Sequence, residues 1–333
     1  MKPPFIVAEL SANHLGSKER ALQIIAAAAH AGADAVKFQA WTPGAMTTGW
    51  DDTIRLGPWS GRSLRELYKE AFTPWEWFPD MFNEARRNNM VPFASVFDDG
   101  ALAFLEDMDC PVYKIASFEL VDLELIHKVA AKKKPMVMST GMADAYEIRR
   151  AVETAVGGGC TDLTLLQCTS AYPAPPEDAR LLDLKTLRWT YPDVDVGLSD
   201  HTMGHTVAAV AAALGAQMIE KHLTMSRAEG GPDAGFSMEP HEFADMVKAC
   251  KIAVQSMGTR NHAEAKSERP QLDLRRSLYY AKRMPAGTPI GEADMVARRP
   301  ALGIHPHRRE SLLNRVLTRD VMGGQPVSEE DFK

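Results

Sequence analysis

Two histidines stand at the ends of consecutive short apolar runs. VDVGLSDHT, starting at Val194, closes on Ser199, Asp200 and His201, and QMIEKHLT, ending at Thr224, carries Glu220, Lys221 and His222. An alanine-rich helical stretch joins the two. Neutral imidazole is a common ligand for Mn²⁺, Co²⁺, Zn²⁺ or Fe²⁺, so His201 and His222 are a candidate metal pair. Two histidines without a third protein ligand would leave positions for water and substrate, which suits a Lewis acid that polarises a carbonyl. The same spacing admits a general base or a hydrogen-bonded core histidine at either position.

Other apolar runs also break off in polar groups. The first yields Glu9, with Asn13 and His14 beyond it, and the second Lys37 and Gln39. The third yields Ser95, the fourth Lys114, Ser117 and Glu119, the fifth Ser139 and Thr140, and the sixth Thr169, Ser170 and Tyr172. With Ser199, His201, Lys221 and His222 these form a ring of cations, hydroxyls and carboxylates on otherwise apolar segments. Burying a charge is costly unless it is paired. Lys37 and Lys114 therefore require an anion: a phosphate or carboxylate of a substrate, or else Glu9 and Glu119 as structural partners. Asp233, in the glycine-rich GGPDAGFS, is placed to bind sugar hydroxyls or to sit in a plain turn. His14 either touches substrate or helps cap a neighbouring helix. Met136, Met138 and Met142, like Trp75 and Trp77, read as packing.

Eight strands must carry this ring. FIVAEL, DAVKFQ, PFASVF, VYKIAS, PMVMST, LTLLQCT, VDVGLSD and QMIEKHL alternate, for the most part, with helical stretches. The first such helix is expected from a Ser17 cap to about Ala31, with Leu22, Ile25 and Ala29 as its buried stripe and Gly32 ending it. Eight strand–helix units predict a (β/α)8 TIM barrel, in which the carboxyl ends of all strands face one mouth. A doubly wound sheet is the competitor, but no G-x-G-x-x-G follows the first strand. Residues 40–70 are a long insertion with the look of an irregular lid. The expected organisation is a barrel over 1–257, a charged linker over 258–275, and a small module of short strands and Pro/Gly turns over 276–333. That module is small for an independent core.

Bulk properties narrow the functional classes. The chain has 333 residues, 45% of them hydrophobic and 25% charged, with a formal net charge of −6 and no basic block, which argues against nucleic acid. No apolar run approaches the roughly 20 residues that span a bilayer. The N-terminus enters a strand directly, without a signal-peptide core, and the four cysteines lack zinc-site spacing. Reduced thiols in a cytoplasmic protein are the expectation.

The segments ELSANHLGS, GADAVKFQ, YKIASFE, STGMA, TSAYPAPPED, GLSDHT, EKHLT and GGPDAGFSMEP, in that order, resemble the sialic acid synthase family. RRSLYYAK and RRPALGIHP resemble its C-terminal antifreeze-like (SAF) domain, of β-clip-like character. YKEAFTPWEW, SAYPAPPEDA and EPHEF are closest to the pseudaminic acid synthases of that family. The resemblance implies condensation of phosphoenolpyruvate with an N-acetylated amino sugar, giving a nine-carbon 2-keto-3-deoxy acid and phosphate. It implies that Lys37, Lys114, Ser117, Ser170 and Ser199 hold phosphoenolpyruvate, and that His201 and His222 bind Mn²⁺ or a similar ion such as Mg²⁺ or Co²⁺. It puts Glu9 and Glu119 near metal, water and sugar, and Gln39, Tyr172 and Asp233 along the substrate site. Ser95 and Ser139, from the strand-end ring, complete the substrate-binding set. It further implies a homodimer whose Arg299 reaches the partner's site by a domain swap. Ala40 and Trp41 stand where relatives often have Thr and Tyr, Val96 where Pro is usual, and Ser226 where an acid is common. These departures bear on the sugar rather than on the metal or the phosphate.

Overall fold

The computed structural model of the protein describes residues 2–258 and 263–333. The chain divides into two compact units, Met1–Gly258 and Thr259–Lys333.

In the first unit eight parallel strands close into a barrel: β1 (Phe5–Glu9), β2 (Ala35–Ala40), β3 (Val91–Val96), β4 (Tyr113–Ile115), β5 (Met136–Ser139), β6 (Leu163–Cys168), β7 (Asp195–Asp200) and β8 (Met218–His222). Closure is made by β1, which pairs with β2 and also with β8, where Glu9 lies opposite His222. The helices are α1 (Lys18–His30), α4 (Phe78–Arg87), α5 (Asp99–Asp107), α6 (Leu123–Ala130), α7 (Ala145–Gly157), α8 (Asp183–Thr190), α9 (Thr206–Ala213) and α10 (Pro240–Ser256), with α2 (Pro43–Met46) and α3 (Leu64–Ala71) inside the insertion after β2. The fold is the TIM barrel that the strand–helix alternation predicts.

Local chemistry explains the boundaries. The Ser17 hydroxyl caps α1 by accepting from the Arg20 amide at 3.2 Å, and Asp144 and Glu147 form a reciprocal capping box at the start of α7. The buried face of α1 is Ala21, Ile24, Ile25 and Ala28. The predicted stripe of Leu22, Ile25 and Ala29 is rotated, and Leu22 and Ala29 are only partly buried against the core. Alanine is too small to mark a helix face by hydrophobicity, which is why the stripe is hard to read there. The main core lies between the outer faces of the strands and the helices, with Phe38 of β2 packed on Phe78 and Phe82 of α4. Apolar residues therefore point outward from the barrel, which leaves the inner face free for polar groups at its mouth. Trp75 stacks on Phe104 at 4.5 Å, and both Trp75 and Trp77 pack against this core. Met136 and Met138 are buried, but Met142, in the loop after β5, is exposed.

The second unit pairs β9 (Ser277–Tyr280) with β10 (Met295–Arg298) in an antiparallel sheet and adds α11 (Arg309–Leu312). Leu278, Tyr280, Met284, Ile290, Met295, Leu312, Leu317, Val321, Val327 and Phe332 form its own buried cluster, so its size does not leave it without a core. The linker expected over 258–275 includes residues 259–262, which lie outside the described residues. Its later part forms a 3₁₀ stretch, Lys266–Leu274. Among the described residues no helix is long and apolar enough to cross a membrane, and the four cysteines are buried and unpaired.

Candidate active site

Strand alternation sends every second side chain into the barrel. On seven of the eight strands the inward residue near the carboxyl end is Glu9, Lys37, Ser95, Lys114, Ser139, Ser199 or Glu220, and these meet one another. Lys37 Nζ lies 3.0 Å from Glu9, 3.4 Å from Glu220 and donates to Ser95 Oγ at 3.2 Å. Lys114 Nζ lies 3.6 Å from Glu220 and donates to Ser139 Oγ at 2.7 Å, while Ser199 Oγ donates to Glu220 at 3.1 Å. All seven are buried. Burial alone would lift the Glu220 carboxyl, but Lys114, Lys37 and His201 overcome it and hold its pKa down at about 2. Burial pushes Glu9 up, against Lys37. It also pulls Lys114 down, whereas at Lys37 the adjacent Glu220 and Glu9 overcome burial and raise the pKa.

This floor corrects the expected partners of the lysines. Lys37 does pair with Glu9, but Lys114 pairs with Glu220 rather than with Glu119. Two carboxylates already neutralise the two cations, so charge balance alone does not require a substrate anion. Lys221 is likewise not in the mouth. It faces the other side of β8, where Nζ donates to Asp200 at 2.7 Å and also contacts the Thr202 carbonyl. Glu220 is the residue that sequence reasoning missed. It lies two positions before His222 and so shares its face, while Lys221 between them cannot.

His201 and His222 do come together, with ring centroids 5.4 Å apart and both side chains buried. His201 Nδ1 donates to the Thr169 carbonyl at 2.9 Å, which leaves Nε2 with a free lone pair. Burial would lower His201, but Cys168, with Sγ 3.8 Å from Nδ1, and the Thr169 carbonyl raise it. Burial and then the neighbouring His201 hold His222 well below the usual histidine range, and its Nδ1 is buried with no hydrogen-bond partner. This donor set fits a divalent ion held by two imidazoles. Among the described residues no group of three His, Cys, Asp or Glu is placed to hold a metal, so further positions would fall to water or substrate.

Around this centre stand the remaining candidates. Ser117 Oγ accepts from the Gly141 amide at 3.1 Å, and a Cβ built on Gly141 would lie 2.8 Å from Ser117 Oγ and 2.3 Å from Ser170 Oγ. The glycine of STGMA thus lets both hydroxyls converge. Gln39 Nε2 donates to Glu9 at 2.8 Å and to Ser11 Oγ at 3.0 Å, and Ser11 donates to Asp233 at 2.5 Å. Trp41 Nε1 donates to the Gln39 side-chain Oε1 at 3.2 Å. Glu119, on the 3₁₀ turn after β4, has a buried Oε2 that no donor reaches, and burial raises its pKa to about 7. Tyr172 lies over His201, ring centroids 4.4 Å apart. His14 resolves as structural: its Nδ1 accepts from the Gly16 amide at 3.0 Å and its Nε2 faces Thr73 Oγ1 at 3.0 Å. Arg299 belongs to the second unit and is exposed just after β10. A cavity of about 1130 Å³ runs between α7 and α8, from Thr140 and Ser170 to Arg149 and Tyr191. It flanks the charged floor and contains neither lysine nor histidine of it, so the chemistry follows from the ring rather than from cavity size.

A closed parallel barrel with an ionic floor and a histidine pair at its carboxyl end defines a barrel enzyme. The chain belongs to the NeuB family, whose model matches residues 24–262, and it carries a SAF domain over residues 275–333. It is 39% identical to the pseudaminic acid synthase of Helicobacter pylori across 100% of this chain and 99% of that one. It is 38% identical to the pseudaminic acid synthase of Campylobacter jejuni across 100% of this chain and 97% of that one. The crystal structure of an N-acetylneuraminic acid synthetase from Leptospira borgpetersenii superposes with a TM-score of 0.73 at 31% identity, covering 81% of this chain and 90% of that one.

Proposed function

We propose that this protein condenses phosphoenolpyruvate with an N-acetylated amino sugar to give a nonulosonic acid and phosphate, and that its product is pseudaminic acid. The observation that carries the reading is the mouth itself: two buried lysines on a serine-lined floor beside two buried histidines. Full-length similarity to pseudaminic acid synthases supports the product. An N-acetylneuraminate or legionaminate synthase is the second reading, favoured by the likeness to the Leptospira enzyme. Another metal-dependent barrel aldolase or hydrolase would need an ion but no phosphoenolpyruvate.

In this reading Lys37 and Lys114, with Ser95, Ser117, Ser139, Ser170 and Ser199, bind the phosphate and carboxylate of phosphoenolpyruvate. His201 and His222 would hold Mn²⁺, Mg²⁺ or Co²⁺, which when bound supplies Lewis-acid polarisation of the sugar aldehyde. Gln39 and Asp233 orient the sugar's polar groups. The C2=C3 π electrons of phosphoenolpyruvate form the new bond from C3 to the aldehyde carbon, the aldehyde C=O π bond opens to an alkoxide that gains the proton given up when water adds, and positive charge develops at C2. Water adds at C2, and the tetrahedral carbon then expels phosphate by C–O cleavage. Glu119 takes the proton from that water. Its unpartnered Oε2 and raised pKa support this role, whereas Glu9 is already engaged by Lys37 and Gln39. Buried donors fixed in advance stabilise the developing charge without reorganising. The enzyme works in the cytoplasm as a homodimer whose SAF domain, with Arg299, covers the partner's mouth. Exposed Phe118, Val121 and Tyr146 on segments following β4 and β5 support a covered rim.

Phosphate release tests the reading: purified protein with Mn²⁺, phosphoenolpyruvate and a panel of N-acetylated amino sugars. Release should require both substrates and the ion, and chelation should abolish it. Release without phosphoenolpyruvate-derived carbon in the product, or none with any sugar, overturns the proposal.

A further inference from the structure

Each histidine of the pair follows a charged residue that faces the other side of its strand, and the condensation gives neither charge a task. Asp200 precedes His201 and Lys221 precedes His222, and the two stand opposite each other as the last register pair of β7 and β8. Both side chains are buried, and Lys221 Nζ donates to Asp200 Oδ2 at 2.7 Å. Asp200 Oδ1 accepts from the Thr202 amide at 2.9 Å and from the Thr202 hydroxyl at 2.8 Å, and Lys221 Nζ also donates to the Thr202 carbonyl. These four bonds join the residue before His201 to the residue after it, and tie both to the residue before His222. The two histidines need such a tie unequally. His222 lies within a ladder, opposite Glu9 of β1. His201 lies one residue past the end of β7, beyond the last β7–β8 pair. Its carbonyl accepts from the Ala174 amide at 3.0 Å, in the loop after β6, so on the β8 side the ion pair takes over from the ladder.

A buried ion pair is a poor device for stability alone, since well-packed apolar side chains of similar volume often fill such a space at no greater cost. What it adds is a single geometry, because two charges taken out of water must stay in contact. We infer that the Asp200–Lys221 pair, through Thr202, is a clamp that sets the separation and tilt of the two imidazoles, and so the affinity of the site for its divalent ion. Both are positioning residues that act through the backbone of the histidines they precede. The inference rests on the metal pair of the proposed function and adds to it what holds that pair in place.

Binding of Mn²⁺ alone to the full chain tests it, read from the electron paramagnetic resonance of the free ion, with no turnover needed. The double variant Asp200→Asn/Lys221→Met removes both charges and leaves neither one buried alone. It should fold, by circular dichroism, and bind Mn²⁺ about 10- to 100-fold more weakly than the native chain, the loss usual when the outer partners of a metal site are removed. The KM for phosphoenolpyruvate should stay unchanged, and kcat should return as Mn²⁺ reaches saturation. A kcat that stays low with the ion saturating marks a general loss of the mouth and overturns the clamp. Asp200→Asn alone keeps an oxygen for Thr202 but ends the ion pair, and should shift the affinity in the same direction; it carries the test if the double variant does not fold. An affinity that neither variant changes overturns the clamp and leaves the metal pair intact. Native protein that binds no Mn²⁺, or His201→Ala that binds it as tightly as the native chain, overturns the metal pair and the clamp with it.

Discussion

In the proposed reaction Glu119 is the base. Its Oε2 is buried without a donor, and burial raises its pKa to about 7, against the opposing effects of its own backbone amide and then Lys114 and Lys37. A base must be ionised, so below that pKa the active fraction falls about tenfold per pH unit, and above it the rate levels off. The kcat/KM profile should therefore show an acid limb with its midpoint near pH 7. Glu119→Gln should remove the limb and lower turnover by about 10²- to 10⁴-fold, with the KM for phosphoenolpyruvate little changed. A limb that persists in the variant transfers the role to Glu9. Single residues were also where sequence reasoning was least complete. The lysines, serines and histidines of the ring are visible as polar groups ending apolar runs. Glu220 is hidden because it sits inside such a run, and only strict alternation back from His222 puts it on the inner face. The same alternation removes Lys221, which pairs with Asp200 behind the histidines.

At the level of elements, β7 and β8 pair with Ser199 opposite Glu220, and the β8 backbone comes close to Gly197. Gly197 permits this: a Cβ there would stand 2.3 Å from the Met218 carbonyl and 2.8 Å from Leu166 Cδ2. The first obstacle is backbone and cannot rotate away. Gly197→Ala should therefore lower the unfolding free energy by about 1–3 kcal/mol, the usual cost of overpacking. Denaturant melts measure this, and a change below a few tenths of a kcal/mol would mean that the two strands part without strain. Eight strands were legible because each barrel strand is apolar on its helix-facing side and ends in polar residues. The insertion was legible only as a long break in the repeat. Its helices α2 and α3 are short, and Trp59, its contribution to the mouth, declares its place only through Pro232, Tyr172 and Phe236. No local pattern encodes a contact between residues 173 positions apart.

For the whole molecule, the question is which barrel Arg299 serves. The SAF unit has its own core, so it can act as a rigid carrier for that exposed arginine. The proposed swap makes an arithmetic prediction that an arrangement in cis does not. His201→Ala disables the barrel of its chain, and Arg299→Ala disables the arm. In a swapped dimer containing one of each, the first site joins a dead barrel to a dead arm, and the second joins an intact barrel to an intact arm. Random pairing makes half the dimers mixed, each with one live site of two. Co-expression of the two inactive variants should therefore restore about one quarter of native turnover. Purification of the mixed dimer by two different tags should raise this to about one half. With the arm acting in cis, every site keeps one defect and mixing restores nothing. Full turnover by residues 1–258 alone would remove the arm from the reaction altogether.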